Sequence, residues 1–312
     1  MESLQLSFSI VFPLFLSILL GYILRILKVW AEPTIGKVSS LVYKVFIPTS
    51  IFLSIYRADI QSVFSAKIAI FSAVCIIVLF LFLSLFTMYG EKNPRKRGVM
   101  IQGMLQSNYI ILGMPIVQSV YGDAGSRCVI GILIIAIPFF TVFSSLALEL
   151  NRNNRPNLIQ IFVNLIKNPL LISCVLGIIC LFLKFRLPPI IEDTASIWGG
   201  FATHMALIAL GGSFEFSKIG KNVKQLCTVT FTKLVLIPAI IIPIALLLDF
   251  RNVELMTLMV LFATPTAVST YPMAQNMGGD TNLAGNIVVF TSLFSMITLF
   301  VAIFILKYFA FI

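Results

Sequence analysis

Apolar residues dominate the chain in long runs of about 20 residues, which short polar connections separate. Runs of this length are typical of helices that cross a lipid bilayer. The sequence therefore predicts an all-α integral membrane protein with ten transmembrane helices. The predicted spans are Leu4–Leu27, Ile35–Tyr56, Lys67–Tyr89, Gly98–Tyr121, Ala124–Leu150, Ile161–Phe185, Pro189–Phe214, Gln225–Leu248, Val253–Met277 and Thr281–Phe311.

Two of these spans, the fourth and the ninth, are interrupted by polar residues and prolines. The interruptions are the segments Gln106–Pro115 and Thr264–Pro272. Proline removes a backbone donor and clashes with the preceding turn, so both helices should unwind locally. Unwound backbone in a bilayer is tolerated only where it is buried in protein or lines a cavity. Interrupted segments in corresponding positions of two halves indicate the binding site of a transporter.

The two halves of the chain share prolines, glycines and polar residues at a nearly constant offset. Five residues around the first span recur 156 positions later, and four residues around the fourth span recur 157 positions later. The first set is Pro13, Ser17, Gly21, Lys28 and Pro33, and the second is Pro115, Gln118, Gly122 and Asp123. A repeat of five spans reverses its direction in the membrane at the second copy. The sequence thus predicts two inverted five-helix repeats, residues 1–150 and 161–312, joined by a short cytoplasmic linker at residues 151–160.

The charges predict the orientation of the spans. Only 11% of the residues are charged, and the formal net charge is +10. The connections after spans 1, 3, 5 and 7 contain 13 Lys and Arg residues, whereas the opposite side contains 7. The richer side should face the cytoplasm, which places both termini outside the cell membrane. This distribution explains the net charge without a nucleic-acid partner.

The chemistry of the two interruptions favours an anion. If both helices unwind, free N–H groups at half-helix N-termini point into the gap, where the helix dipole attracts negative charge. Ser107, Asn108, Thr266, Ser269 and Thr270 are predicted to donate hydrogen bonds to a carboxylate. Alternatively, the prolines only kink the helices, and the hydroxyls bond back to carbonyls of their own helix.

Five further residues complete the predicted site. Pro115, Pro265 and Pro272 should hold the crossing open, and Gly113 should allow close backbone approach. Lys44, inside the second span, could supply a positive charge to the cavity or extend its amine to the membrane surface.

The sequence lacks the residue patterns of metal sites, disulfide frameworks and enzyme active sites. The five cysteines form no CxxC pair, so neither a metal site nor a disulfide framework is predicted, and no cofactor is expected. No nucleophile with a partnering base is visible, which argues against an enzyme. The acidic residues all lie in connections or near span ends. This distribution favours uniport of an anion, or ion coupling through backbone carbonyls.

The segments Ser107–Tyr109, Gly113–Pro115, Pro265–Tyr271 and Met277–Asp280 resemble the auxin efflux carrier family of bacterial and plant membrane transporters. The resemblance covers the whole chain, and the short central linker is similar to that of the bacterial members. It implies crossed helices 4 and 9 and a scaffold of helices 1, 2, 6 and 7. It also implies elevator-type alternating access, a homodimer through the scaffold and an organic anion as substrate, such as malate or malonate.

Residues and resemblance together favour a secondary transporter of small mono- or dicarboxylates that works by elevator-type alternating access. Two alternatives remain open at this point. One is a sodium-coupled organic-anion symporter of the bile-acid type, and the other is a channel or membrane sensor without substrate turnover.

Overall fold

The computed structural model describes residues 2–58, 66–152, 158–213, 220 and 222–312. Across these ranges the chain is helical and contains no strand. The helices are α1 (Glu2–Ile26), α2 (Glu32–Leu41), α3 (Ile47–Tyr56), α4 (Ala66–Gly90), α5 (Pro94–Leu105), α6 (Met114–Leu150), α7 (Leu158–Ile166), α8 (Pro169–Phe182), α9 (Pro189–Ser213), α10 (Val223–Phe231), α11 (Ile237–Leu247), α12 (Asn252–Ala263), α13 (Thr270–Met277) and α14 (Thr281–Tyr308).

Several helical stretches have the length and composition of membrane spans. Five stretches are long and apolar enough to cross a bilayer. They are Pro33–Tyr56, Ala66–Gly90, Pro94–Leu150, Val223–Leu247 and Thr281–Tyr308. Three shorter apolar helices, Phe12–Ile26, Pro169–Phe182 and Asn252–Ala263, accompany them. Large apolar side chains are exposed along α1, α4, α8 and α14, as expected for surfaces that face lipid.

Three single π-helical turns interrupt the spans, at Val42–Phe46, Tyr109–Gly113 and Thr232–Leu236. Each turn ends two residues before a proline, namely Pro48, Pro115 and Pro238. A proline ring clashes with the carbonyl four residues earlier and has no N–H to bond to it. The residue before each proline instead donates to the carbonyl five residues back, as Met114 does to Tyr109. The helices therefore widen at these prolines and continue.

The structure moves the start of the sixth predicted span. The sequence predicted one helix from Ile161, but α7 ends at Ile166 and a separate helix α8 begins at Pro169. The side chain of Asn168 accepts a hydrogen bond from the N–H of Leu170, 2.9 Å away, and so caps α8. Of the predicted linker 151–160, residues 153–157 lie outside the described residues, and its last residues already belong to α7. The division into two repeats stays a prediction.

The fourth and fifth predicted spans meet at Gly122. The helix α6 contains a non-helical residue there, with φ 59° and ψ −141°. A side chain would strain this backbone conformation, which glycine adopts readily. Gly122 thus provides the bend between the two spans where the sequence predicted a boundary.

The helices pack in two groups. In the first, which we call the scaffold group, α9 packs along α1, α2 and α3, and α8 packs on α3. In the second, which we call the crossing group, α6 contacts α4, α5 and α12, while α14 contacts α5, α10 and α13. The groups also touch each other, for example through α1 and α14.

Two glycines that the repeat pattern pairs lie at close helix contacts of the scaffold group. A side chain on Gly21 would collide with the backbone carbonyl of Ile208 on α9. At Gly177, a Cβ would lie 3.1 Å from the carbonyl oxygen of Phe52 on α3. Small residues at such positions let helix backbones approach closely in membranes. Close packing is therefore a physical reason for glycine at both positions.

We predict that Gly21→Ala lowers the stability of the folded protein by about 1–3 kcal/mol, because the added methyl group forces α1 and α9 apart. Thermal unfolding in detergent measures this effect. Gly36→Ala is the matched control, since nothing lies within 4 Å of a Cβ at Gly36. An equal melting temperature for the two variants would contradict the close-packing account.

Candidate functional site

The two interrupted helices meet where their backbones are extended. Helix α5 ends at Leu105, helix α12 ends at Ala263, and the next residue of each is extended, with ψ of 143° at Gln106 and 156° at Thr264. The N–H of Asn108 donates to the carbonyl oxygen of Pro265 over 2.8 Å. The two breaks are therefore hydrogen-bonded to each other in the interior of the protein.

A hydroxyl chain runs beside this backbone bond. Thr264 Oγ1 donates to the carbonyl oxygen of Val260 over 2.7 Å, so it accepts from Ser107 Oγ at 2.6 Å. Ser107 and Thr264 are 157 positions apart, as are Asn108 and Pro265. This spacing equals the offset of the residues that recur around the fourth and ninth spans. The residues in contact are thus those that the offset pairs.

Thr266 and Thr270 stabilise the crossing from inside the protein. Thr266 Oγ1 donates to the carbonyl oxygen of Gly103 over 2.6 Å, and the Thr266 N–H donates to Thr291 Oγ1 over 3.2 Å. Thr270 Oγ1 donates to Gln106 Oε1 over 2.7 Å. Both threonines are fully buried. The Thr266 hydroxyl satisfies a carbonyl at the C-terminal end of α5, and the Thr270 hydroxyl satisfies a buried side-chain amide.

A cavity of about 180 Å³ lies at the crossing, between the two helix groups. Its wall on the scaffold group comes from α3 and α9, and its other wall comes from the two breaks and α6. Among the described residues, no charged side chain lines it. Its polar lining consists of Ser50, Ser54, Gln106, Ser107, Asn108, Tyr109, Thr141, Thr203 and Ser269.

The structure brings three of the predicted binding residues to this cavity: Ser107, Asn108 and Ser269. Asn108 is 5% exposed, and its side-chain Nδ2 group has no hydrogen-bond partner among the described residues. A buried amide donor without a partner is costly, and a bound acceptor removes that cost. Asn108 is therefore the lining residue whose chemistry most clearly calls for a ligand.

Thr266 and Thr270 do not line the cavity, and substrate binding by them stays a prediction. Their hydroxyls donate hydrogen bonds to the carbonyl oxygen of Gly103 and to Gln106 Oε1 instead. The sequence could not reveal this difference because side chains in unwound backbone follow no helical period. Their direction depends on the helix that they meet.

The three predicted prolines lie at different places relative to the breaks. Only Pro265 lies in a break. Pro115 follows the π turn Tyr109–Gly113 in a helix that has already begun, and Pro272 belongs to the first turn of α13. A proline is tolerated in a first turn because its missing N–H would have no partner there. The fourth span is thus broken at Gln106–Asn108, upstream of Pro115. None of the three prolines lines the cavity.

Gly113 and Lys44 also lie outside the cavity lining. A Cβ at Gly113 would come within 2.8 Å of the Val260 side chain, so this glycine permits close contact between the two crossing spans. Lys44 is exposed on the first π turn and does not supply a charge to the cavity lining. The other basic residue within a span, Lys233, is buried and 1% exposed, and it is likewise absent from the lining.

Sequence reasoning missed the half of the cavity that lies on the scaffold group. Ser50 and Ser54 are four residues apart and therefore share one face of α3, while Thr203 lies on α9. The signal was present as isolated hydroxyl residues at helical spacing in apolar spans. It was weak because such hydroxyls commonly bond to their own helix, as Thr49 does to Val45 at 2.7 Å.

Comparison with known proteins gives one family and several relatives. A family described as membrane transport protein matches residues 6–303. An uncharacterized transporter of Methanothermobacter thermautotrophicus is 25% identical over 292 residues, which cover 90% of this chain and 92% of the relative. The uncharacterized transporter YfdV of Escherichia coli is 24% identical over 272 residues, covering 82% of this chain and 84% of the relative.

We predict that Ser107→Ala and Thr264→Val are energetically coupled, because each removes one side of the same buried hydrogen bond. The double mutant should lose less stability than the sum of the single mutants, by about 0.5–1.5 kcal/mol. Denaturant unfolding in mixed micelles measures the free energy of unfolding of the two single mutants and the double mutant. As a control, the stability losses of Ser119→Ala and Thr264→Val should be additive, since Ser119 bonds to Ile116 in its own helix. Simple additivity of Ser107→Ala and Thr264→Val would contradict the direct contact.

Proposed function

Since the chain belongs to the membrane transport protein family, the auxin efflux carrier family of transporters, we propose that it is a secondary transporter of small organic anions. The substrates are mono- or dicarboxylates such as malate or malonate. The observation that carries this proposal is the cavity at the crossing, with its uncharged polar lining and the unpartnered amide of Asn108.

The size of the cavity favours small substrates. A cavity of about 150 Å³ in another protein admits a molecule of the size of benzene. The cavity at the crossing measures about 180 Å³, which is sufficient for a three- or four-carbon acid. Apolar side chains such as Ile47, Ile110 and Phe140 occupy the remaining wall and leave room for a short carbon chain.

Helix ends provide the electrostatic attraction that the uncharged lining lacks. The π turn Tyr109–Gly113, which leads into α6, begins directly after Asn108, and α13 begins directly after Ser269. The N-termini of both segments therefore lie next to residues that line the cavity. Backbone N–H groups and the helix dipole attract an anion to the start of the π turn. At α13 the N–H groups of Thr270 and Tyr271 already donate to Ala267 and Val268, so this N-terminus attracts an anion through the helix dipole alone. Asn108 and Ser269 then orient the carboxylate, whereas the Ser107 hydroxyl already donates to Thr264 and holds the crossing together.

The two helix groups suggest how the substrate moves. The cavity lies between the scaffold group and the crossing group, so displacement of one group along the other carries the bound substrate with the crossing. This is elevator-type alternating access. It is supported by the hydrogen bonds between the two breaks, which hold the crossing together as one body.

The absence of carboxylates from the described lining favours uniport over coupling through an acidic side chain. Sodium coupling of the bile-acid type remains the alternative mechanism, with backbone carbonyls as cation ligands. We further propose that the protein resides in the cell membrane, with both termini outside and with a dimer formed through the scaffold group. A channel without substrate turnover would not show the saturable uptake that the test below measures.

We predict that the purified protein in proteoliposomes takes up radiolabelled malonate or malate with saturable kinetics. Asn108→Ala should lower uptake at low substrate concentration at least about tenfold, because a hydrogen bond to a charged group contributes about 1.5–3 kcal/mol. The Asn108 backbone bonds to Pro265 and Leu112 do not depend on the side chain, so the variant should fold.

Asn276→Ala is the matched control, since Asn276 bonds to Pro272 within its own helix and does not line the cavity. Uptake is measured with and without sodium and a pH gradient. Dependence on sodium would favour the symporter, and non-saturable flux would favour a channel. Uptake that Asn108→Ala leaves unchanged would move the site away from the crossing.

A further inference from the structure

A second cavity adjoins the one at the crossing. It measures about 350 Å³ and shares Ser50, Ser54 and Ile110 with its neighbour. From there it extends along α3 and α9 to Arg57 and Ser196 near the ends of these helices. We call this second cavity the vestibule. The shared residues place the two cavities side by side, with Ser50 and Ser54 between them.

Arg57 is the only charged residue in the described lining of either cavity. Its side chain is 47% exposed, so it stands at the open end of the vestibule. Arg57 Nε donates to Glu192 Oε1 over 2.8 Å, and Arg57 Nη2 donates to Ser196 Oγ. These two bonds, both to residues of α9, fix the guanidinium in place.

The fixed guanidinium retains donors for a ligand. A guanidinium has five N–H groups in a planar fork. Nε and Nη2 each donate one hydrogen bond, which leaves both hydrogens of Nη1 and one of Nη2 without a partner among the described residues. Paired donors in this geometry match the two oxygens of a carboxylate.

We propose that Arg57 forms an anion-capture site at the mouth of the vestibule, which binds a substrate carboxylate before it reaches the crossing. This site rests on the proposed function and deepens it. The capture site supplies guanidinium N–H donors at the mouth, which the described lining of the crossing cavity lacks. The hydroxyls of Ser54 and Ser50 then lie between Arg57 and Asn108.

Glu192 limits the strength of this site. It offsets the charge of Arg57 and is itself held by the hydroxyl of Tyr56 at 3.3 Å. A fully uncompensated arginine would hold an anion too firmly to release it toward the crossing. Removing the negative charge of Glu192 should therefore increase capture, whereas removing the charge of Arg57 should abolish it.

The experiment uses the full chain with its five cysteines replaced and a single cysteine introduced as Ser54→Cys. The rate at which membrane-impermeant methanethiosulfonate reagents modify this cysteine is measured with an anionic and with a cationic reagent. In this background Arg57→Gln should lower the ratio of the anionic to the cationic rate roughly three- to tenfold, and Glu192→Gln should raise it. Both effects should shrink as salt increases.

Two controls separate charge from folding. Lys184→Gln removes one positive charge at the same end of the scaffold group, outside both cavities, and should leave the ratio unchanged. Arg57→Lys keeps the charge and should largely retain the wild-type ratio. A ratio that responds equally to Arg57→Gln and Lys184→Gln would overturn the capture site.

Transport distinguishes failure of this inference from failure of the proposed function. In the chain with its native cysteines, reconstituted into liposomes at low ionic strength, Arg57→Gln should raise the KM for malonate several-fold, while kcat changes little. An unchanged KM in a protein that transports malonate would overturn the capture site alone. A protein that transports no carboxylate but shows the charge-selective reagent ratios would overturn the proposed substrate class and leave the anion site at Arg57.

Discussion

The rest of the structure depends on the hydrogen bonds that join the two broken helices. In a bilayer an unpaired backbone group has no water to bond to, so a broken helix is unstable unless protein atoms satisfy its free ends. Here each break satisfies the other. Asn108 donates to Pro265, Thr266 donates to Gly103, and Ser107 bonds to Thr264. Neither interruption would be stable without its partner.

The hydrogen bonds between the two breaks also determine which polar side chains line the cavity. The hydroxyls of Thr266 and Thr270 donate hydrogen bonds within the crossing. Ser107, Asn108 and Ser269 line the cavity instead. The result is a site with hydrogen-bond donors and helix N-termini but, among the described residues, no charged side chain. Under the proposed function, such a site binds an anion without a permanent counter-ion and can also release it. Arg57 supplies charge only at the far end of the vestibule.

The sequence was informative where local chemistry decides the structure. Polar residues and prolines in apolar runs predicted both breaks, the constant offset predicted which breaks correspond, and Asp280 caps α14 by accepting from Leu283 at 3.0 Å. It was less informative where tertiary contacts decide. Thr266 and Thr270 turn inward because Gly103 and Gln106 lie there. The places of Pro115 and Pro272 relative to the breaks depended on where each helix begins.

The most direct test of the account asks whether a carboxylate occupies the cavity at the crossing. In a variant without native cysteines, Ser269→Cys would be alkylated in the presence of increasing malonate, with Ser119→Cys as a reference outside the cavity. The account predicts saturable protection of residue 269 at concentrations near the transport KM, and no protection of residue 119. Malonate that is transported without slowing alkylation at residue 269 would contradict it.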